Sequence, residues 1–137
     1  DNLIRAIADS GGVVGVAALS ILLKDDAVQY GSTLDDYINH LEHIIGVAGI
    51  DHVGIGLDVG FKRTDEDTIQ LESAYPEFKF PPLNLRYAAG LDRADKTSNI
   101  TLELMKRGYG SNDIQKLLGL NWMRIFKQVW GSGIPER

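Results

Sequence analysis

The residue of this sequence best placed to do chemistry is Asp58. It follows the run HVGIGL at residues 52–57, whose small and apolar side chains predict a strand buried on both faces. A carboxylate delivered to the end of a dry strand can take up and return a proton, balance a cation, or start a turn. Residue type alone leaves all of these open.

Other chemically suggestive patterns are weaker. His40, Glu42 and His43 form HLEH, which matches neither the H-E-x-x-H nor the H-x-x-E-H metal motif. At about 100° per residue, His40 falls at the margin of its helix's apolar face and His43 nearly opposite the centre, so a solvated helix face is expected. His52, at the start of the strand, is expected to be structural. The glycines of GIGLDVG have the spacing G-x-G-x-x-x-G and no helix opens after them, which leaves a phosphate no helix N-terminus to meet. The stretch SNDIQKLLGLNWMRIFKQV has the helix, glycine turn and helix of a DNA reader. Its second helix carries only Arg124 and Lys127 as cations, and Trp122, Ile125, Phe126, Val129 and Trp130 call for a core.

The elements that must position Asp58 alternate between helix and strand. Leu3, Ile4, Ile7 and Ala8 have helical spacing, with Gly11 and Gly12 as the stop, and VVGVAAL follows as a buried strand. After the polar stretch KDDAVQYG, a capping-box pattern from Ser32 to Asp35 opens a helix whose apolar face is Leu34, Tyr37, Ile38, Leu41, Ile44, Ile45 and Ala48 and which ends at Gly49. HVGIGL is then the second strand. From residue 59 to 96 no period is sustained, and the aromatics of YPEFKFPPLNLRY predict an ordered, packed loop. Helices return in SNITLELMKRGYG, capped by Ser98, in SNDIQKLLGL, capped by Ser111, and in NWMRIFKQVWG.

Composition bounds the function. With 137 residues, 44% hydrophobic and 24% charged, the chain suits one domain at most. A net charge of −5 and a pI near 5.1 argue against nucleic acid or an anionic membrane surface as partner. There is no cysteine, so disulfide and thiolate chemistry are excluded. The longest apolar run, residues 11–23, falls short of the roughly 20 residues of a transmembrane helix, and none is expected. The opening on Asp1, without Met or a targeting segment, reads as internal to something longer. Two parallel strands cannot close a barrel and leave outer edges unpaired, so other strands are expected from another chain or from the rest of a larger domain.

The run TLDDYINHLEHIIGVAGIDHVGIGLD, followed after the long loop by NITLELMKRGYGSNDIQKLLGLNWMRIFKQVWG, resembles the C-terminal part of the membrane dipeptidase (renal dipeptidase) family of zinc peptidases, peptidase family M19. The resemblance implies a (β/α)8 TIM-type barrel, a fold of about 250 residues, of which residues 1–137 would be the C-terminal part with the last two strands and their helices. It implies a dipeptidase with two zinc ions, with a dipeptide as substrate and the N-terminal remainder of the barrel as partner. Asp58 matches the family's strand-eight Asp, placed to handle the proton of the attacking water or of the leaving amine. The family's His-x-Asp pair, bridging Glu, two further His and substrate-binding Arg all precede the region covered, so no metal ligand is assigned in this chain. The sequence departs from the family where DVGF replaces Asp, an aromatic, a second Asp and Gly. The loop at 59–96 is expected over the catalytic mouth, with Tyr75, Phe78, Phe80 and Tyr87 as candidate substrate contacts. Unpaired barrel edges predict association, including homo-oligomers, and an isolated chain without activity. Two alternatives from other classes are a non-catalytic α/β interaction module that completes its sheet with another chain, and a nucleotide-binding α/β domain.

Overall fold

The computed structural model describes residues 1–60, 64–77 and 79–131, with the side chain of Asp65 excepted. In chain order the elements are α1 (Asn2–Asp9), β1 (Val14–Val16), α2 (Ser20–Leu23), α3 (Ala27–Tyr30), α4 (Leu34–Ala48), β2 (Val53–Ile55), α5 (Asp65–Ala74), α6 (Ser98–Lys106), α7 (Ser111–Gln115) and α8 (Asn121–Trp130). A π-helical turn, Lys116–Leu120, joins the last two.

The two strands pair in parallel, Val14 opposite Val53 and Val16 opposite Ile55, as the expected crossover requires. Pairing runs beyond the strands proper. Gly56 N–H donates to Val16 O at 3.0 Å, and Ala18 N–H donates to Leu57 O at 3.0 Å. Side chains alternate across the ladder, so the valines share a face and Gly15 and Gly54 share the other. Val16 and Val53 belong to one core with Tyr37, Ile38 and Leu41 of α4, Ile100 and Leu104 of α6, and Leu117. On the glycine face lies Trp122, whose indole N–H donates to Ile55 O at 3.0 Å. Asn121 donates to Ile50 O and Val53 O, which docks the start of α8 on the entry to β2.

Helix α4 forms where its apolar face predicts, and Gly49, at φ 86°, ends it in a conformation a side chain would strain. Its cap is displaced by one residue from the expected Ser32 and Asp35. Thr33 Oγ1 accepts from Asp36 N–H while the Asp36 carboxylate accepts from Thr33 N–H, and these bonds hold the Asp36 carboxyl below its ordinary range. Ser32 is instead buried, its hydroxyl donating to Ser20 Oγ at 2.8 Å. Ser98 and Ser111 are likewise first helical residues rather than caps; the preceding Thr97 and Gly110 stand at the cap positions, without side-chain cap bonds.

The segment expected to be an unbroken loop at 59–96 contains a helix, α5. Thr64 and Asp67 form a full capping box that starts it. Its sequence, DEDTIQLESA, has too few apolar residues to mark a face, so periodicity misses it. Val129 and Trp130, expected in a core, are 72% and 60% exposed. Trp130 stacks on Phe126 of the same helix, at 4.6 Å.

A Cβ on Gly54 would meet Trp122 Nε1 at 2.3 Å, whereas one on Gly46, within α4, would meet nothing within 4 Å. Gly54→Ala should therefore destabilise the fold by about 1–3 kcal/mol, and Gly46→Ala should stabilise it by about 0.5–1 kcal/mol. Urea unfolding followed by tryptophan fluorescence reads both; equal effects would mean that the indole is not seated on the glycines.

Candidate active site

Chemically capable groups gather where β1 and β2 end. Leu57 is the last residue of the second strand's run to be paired, and Asp58 follows it directly, exposed and at φ 54°. That left-handed backbone is uncommon outside glycine, and Asp tolerates it better than most residues. Strain of this kind clusters at functional sites. The short ladder therefore ends by presenting a carboxylate to solvent on a defined turn.

A second segment crosses the same end of the sheet. Residues 86–88 run antiparallel to residues 18–20, with Leu19 bridged to Tyr87. Ser20 N–H donates to Arg86 O and Ala88 N–H donates to Ala18 O, both at 2.8 Å. Ala18 thus joins Leu57 on one side and Ala88 on the other. From this strap the Tyr87 hydroxyl accepts from Gly60 N–H at 3.4 Å, two residues past Asp58. One wall of the turn that carries the carboxylate is set by the long connection itself.

The four aromatics singled out from sequence have separate fates. Tyr87 is 8% exposed and serves as that wall. Phe80 is half-buried beneath the Arg86 guanidinium, 5.7 Å from its ring centroid. Tyr75 is exposed, just past the end of α5. Phe78 lies outside the described residues. Sequence reasoning passed over Arg86, the one buried charged side chain among the described residues. The available signal was a lone cation in an apolar setting, LNLRYAAG.

Each of the three histidines is engaged away from this end. His52 Nδ1 is 2.8 Å from Gly12 O, at the entry to both strands, in keeping with a structural role. His40 Nε2 is 3.0 Å from Leu23 O, and His43 Nε2 is 2.9 Å from Asp1 on an exposed face. Glu42 accepts from Arg107, which also donates to Asp35 and Asn39, so the HLEH stretch helps to bind α4 to α6. Among the described residues no three His, Cys, Asp or Glu side chains are grouped so as to hold a metal ion, and the donor set around Asp58 does not fit one. Nor is any described helix long and apolar enough to cross a membrane. The second helix of the DNA-reader pattern is docked on the sheet through Trp122, as packing predicts, and Arg124 donates to Gly11 O and Asp51 O.

Parallel strands joined by a helical crossover, with a carboxylate on the turn that leaves them, define an α/β unit, a class of fold in which ligands commonly bind at the carboxyl ends of the strands. The chain belongs to the membrane dipeptidase family, peptidase family M19, whose family model matches residues 1–78 and 85–132. It is 35% identical over 131 residues to an uncharacterised protein in the pqqA 5′ region of Klebsiella pneumoniae, covering 95% of this chain and 40% of that protein. With dipeptidase ataJ of Aspergillus terreus it shares 30% identity, over 100% of this chain and 28% of the fungal one. Among solved structures, an amidohydrolase from Pseudomonas aeruginosa superposes with a TM-score of 0.77 at 30% identity, covering 95% of this chain and 40% of that one. A metallo peptidase from Rhodobacter sphaeroides, liganded with a phosphinate mimic of the dipeptide L-Ala-D-Ala, superposes with a TM-score of 0.68 at 21% identity, over 94% and 30% of the two chains. The chain thus spans 40% or less of the length of these relatives.

Tyr87→Phe keeps the buried ring and deletes the acceptor for Gly60. Amide hydrogen exchange at Gly60 should quicken about fivefold to tenfold, as expected for loss of a hydrogen bond worth about 1 kcal/mol. Exchange at Ala18 and Ala88 should stay as it was. Unchanged exchange at Gly60 would show that the phenol does not hold the turn.

Proposed function

We propose that this chain is the C-terminal part of a (β/α)8 zinc dipeptidase, that β1 and β2 are its last two strands, and that Asp58 moves the proton during peptide-bond hydrolysis. The observation that carries the reading is position: Asp58 leaves the paired end of β2 on a strained turn, in a family whose curated relatives include dipeptidases. Barrel enzymes of this kind place their catalytic groups at the carboxyl ends of the strands. The described residues do not fit a metal, so the ligands of the two zinc ions are assigned to the N-terminal remainder of the protein, where bound metal would lower the pKa of water.

For its own part, the chain supplies a base and the walls around it. An ionised Asp58 accepts a proton from the attacking water and returns it to the leaving amine, so that a single carboxylate serves both halves of the reaction. Exposure at the end of the strand keeps the group accessible to substrate. The β2 turn is held by Leu57 on one side and by the Tyr87 hydroxyl on the other, which limits how far the carboxylate can wander. We assign to the connection at 59–96 the cover of the mouth; its strap across residues 18–20 and the aromatics Tyr75, Phe80 and Tyr87 support that placement.

Asp58→Asn in the complete protein conserves size and turn propensity and removes the proton acceptor. Turnover of dipeptides should fall about 100-fold to 10,000-fold, with folding and bound zinc unchanged. Bound zinc and turnover measured on one preparation separate the outcomes: near-normal turnover with full zinc removes Asp58 from the mechanism, and joint loss of zinc and turnover makes it a metal ligand instead. The isolated 137-residue chain should hydrolyse no dipeptide even with added zinc, since one carboxylate cannot hold a two-metal centre. Zinc-dependent turnover by that chain would end the assignment of the ligands to another part of the protein.

A further inference from the structure

Arg86 is 1% exposed, yet among the described residues no carboxylate answers its charge. Its Nη2 donates to Thr68 Oγ1 of α5 at 2.7 Å and to Pro81 O at 3.2 Å, and its guanidinium lies over the Phe80 ring. All of these partners are neutral. Nε and Nη1 are buried and donate to nothing among the described residues. A guanidinium stays charged at any pH a folded protein survives, so it cannot relieve the deficit by losing a proton. Burying such a charge without a counter-charge is strongly unfavourable.

Several other cations of the chain are treated differently. Arg107 meets Asp35, Glu42 and Glu103; Arg93 meets Asp95; Lys116 meets Asp51. Those groups all retain more contact with solvent than Arg86 does, although their need for a counter-ion is smaller. Arg86 also has a fixed address. Its carbonyl accepts from Ser20 N–H just past the end of β1, and the next residue, Tyr87, reaches the turn that follows Asp58. The cation therefore lies against α5, on the strap that crosses the same end of the sheet as the candidate active site.

We infer that Arg86 is a carboxylate-binding site beneath α5, completed by a carboxylate that the described residues do not supply. A carboxylate is the fitting class because its oxygens accept from guanidinium N–H groups in plane, at charge-assisted strength. Two sources share that chemistry: an acidic side chain from the rest of the complete protein, or an acidic ligand that enters at the mouth while α5 shifts to admit it. The inference does not depend on the role given to Asp58.

The test uses the complete protein, with Arg86→Met and Arg86→Lys beside the wild type, and glutarate as probe with uncharged glutaramide as control. For an internal partner, Arg86→Met should lower the thermal midpoint by roughly 5 °C or more, Arg86→Lys should recover part of the loss, and glutarate should change nothing. For a ligand, glutarate but not glutaramide should raise the wild-type midpoint, and Arg86→Met should abolish that rise. A crystal structure of the wild type with and without glutarate decides the case even where Arg86→Met does not fold. A carboxylate oxygen within about 3.5 Å of Nε or Nη1, roughly the limit of a hydrogen bond, is expected. Its absence from both crystals overturns the inference, and so does an unchanged or raised midpoint in Arg86→Met together with no response to glutarate.

Discussion

The backbone of Ala18 is the hinge on which this structure depends. Its N–H donates to Leu57 O and its carbonyl accepts from Ala88 N–H, so one residue registers the end of β2 and the returning strap against the end of β1. Ala18 is fully buried, where an unpaired peptide group would be costly. If the strap slipped by one residue against the end of β1, Tyr87 would turn to the opposite face and leave the turn that follows Asp58, because side chains alternate along extended backbone. The candidate active site is thus a consequence of backbone bookkeeping at a dry position.

Much of this was legible in the sequence, for definable reasons. Helix α4 has a full apolar stripe, and its Tyr37, Ile38 and Leu41 are buried as the stripe requires. The strand before Asp58 was legible because it lacks polar alternation, and the parallel crossover because a long helix separates two such runs. Helix α5 was not, since its order comes from a capping box and from Arg86 reaching Thr68 rather than from a buried stripe. The cap of α4 was misplaced by one residue for a related reason. Ser32 and Thr33 both suit a cap, and the choice depends on Ser20, twelve residues away, claiming the serine. Asp58 was legible as a residue but its backbone was not: φ 54° follows from the turn between Leu57 and the strap.

Charge and packing act differently in the two halves of this chain. On a chain of net charge −5, acidic groups repel one another at the surface, and ion pairs such as those of Arg107 offset this locally between α4 and α6. Arg86 works from the inside instead. Its aliphatic stem and guanidinium fill space that Phe80, Pro81 and α5 surround, so one long side chain substitutes for the apolar stripe that α5 lacks. Packing and charge are therefore in tension at the same residue.

The edges and the end of α8 show the same tension on a larger scale. A ladder of three paired residues per strand has little sheet to share its burial with, and β1 gains a second neighbour only at its carboxyl end, from the strap. Trp122 offsets this on the glycine face by lying across both strands at once, which is why small residues stand at Gly15 and Gly54. The same helix carries the aromatic series on through Phe126 to Trp130, stacked at 6.3 and then 4.6 Å, out to an exposed end beside Val129. The one helix thus uses its aromatic residues both in a tight seat on the sheet and in a stack along its own exposed end. Its seated half fixes the direction of α8, because Asn121 and Trp122 tie the start of the helix to the backbone of β2.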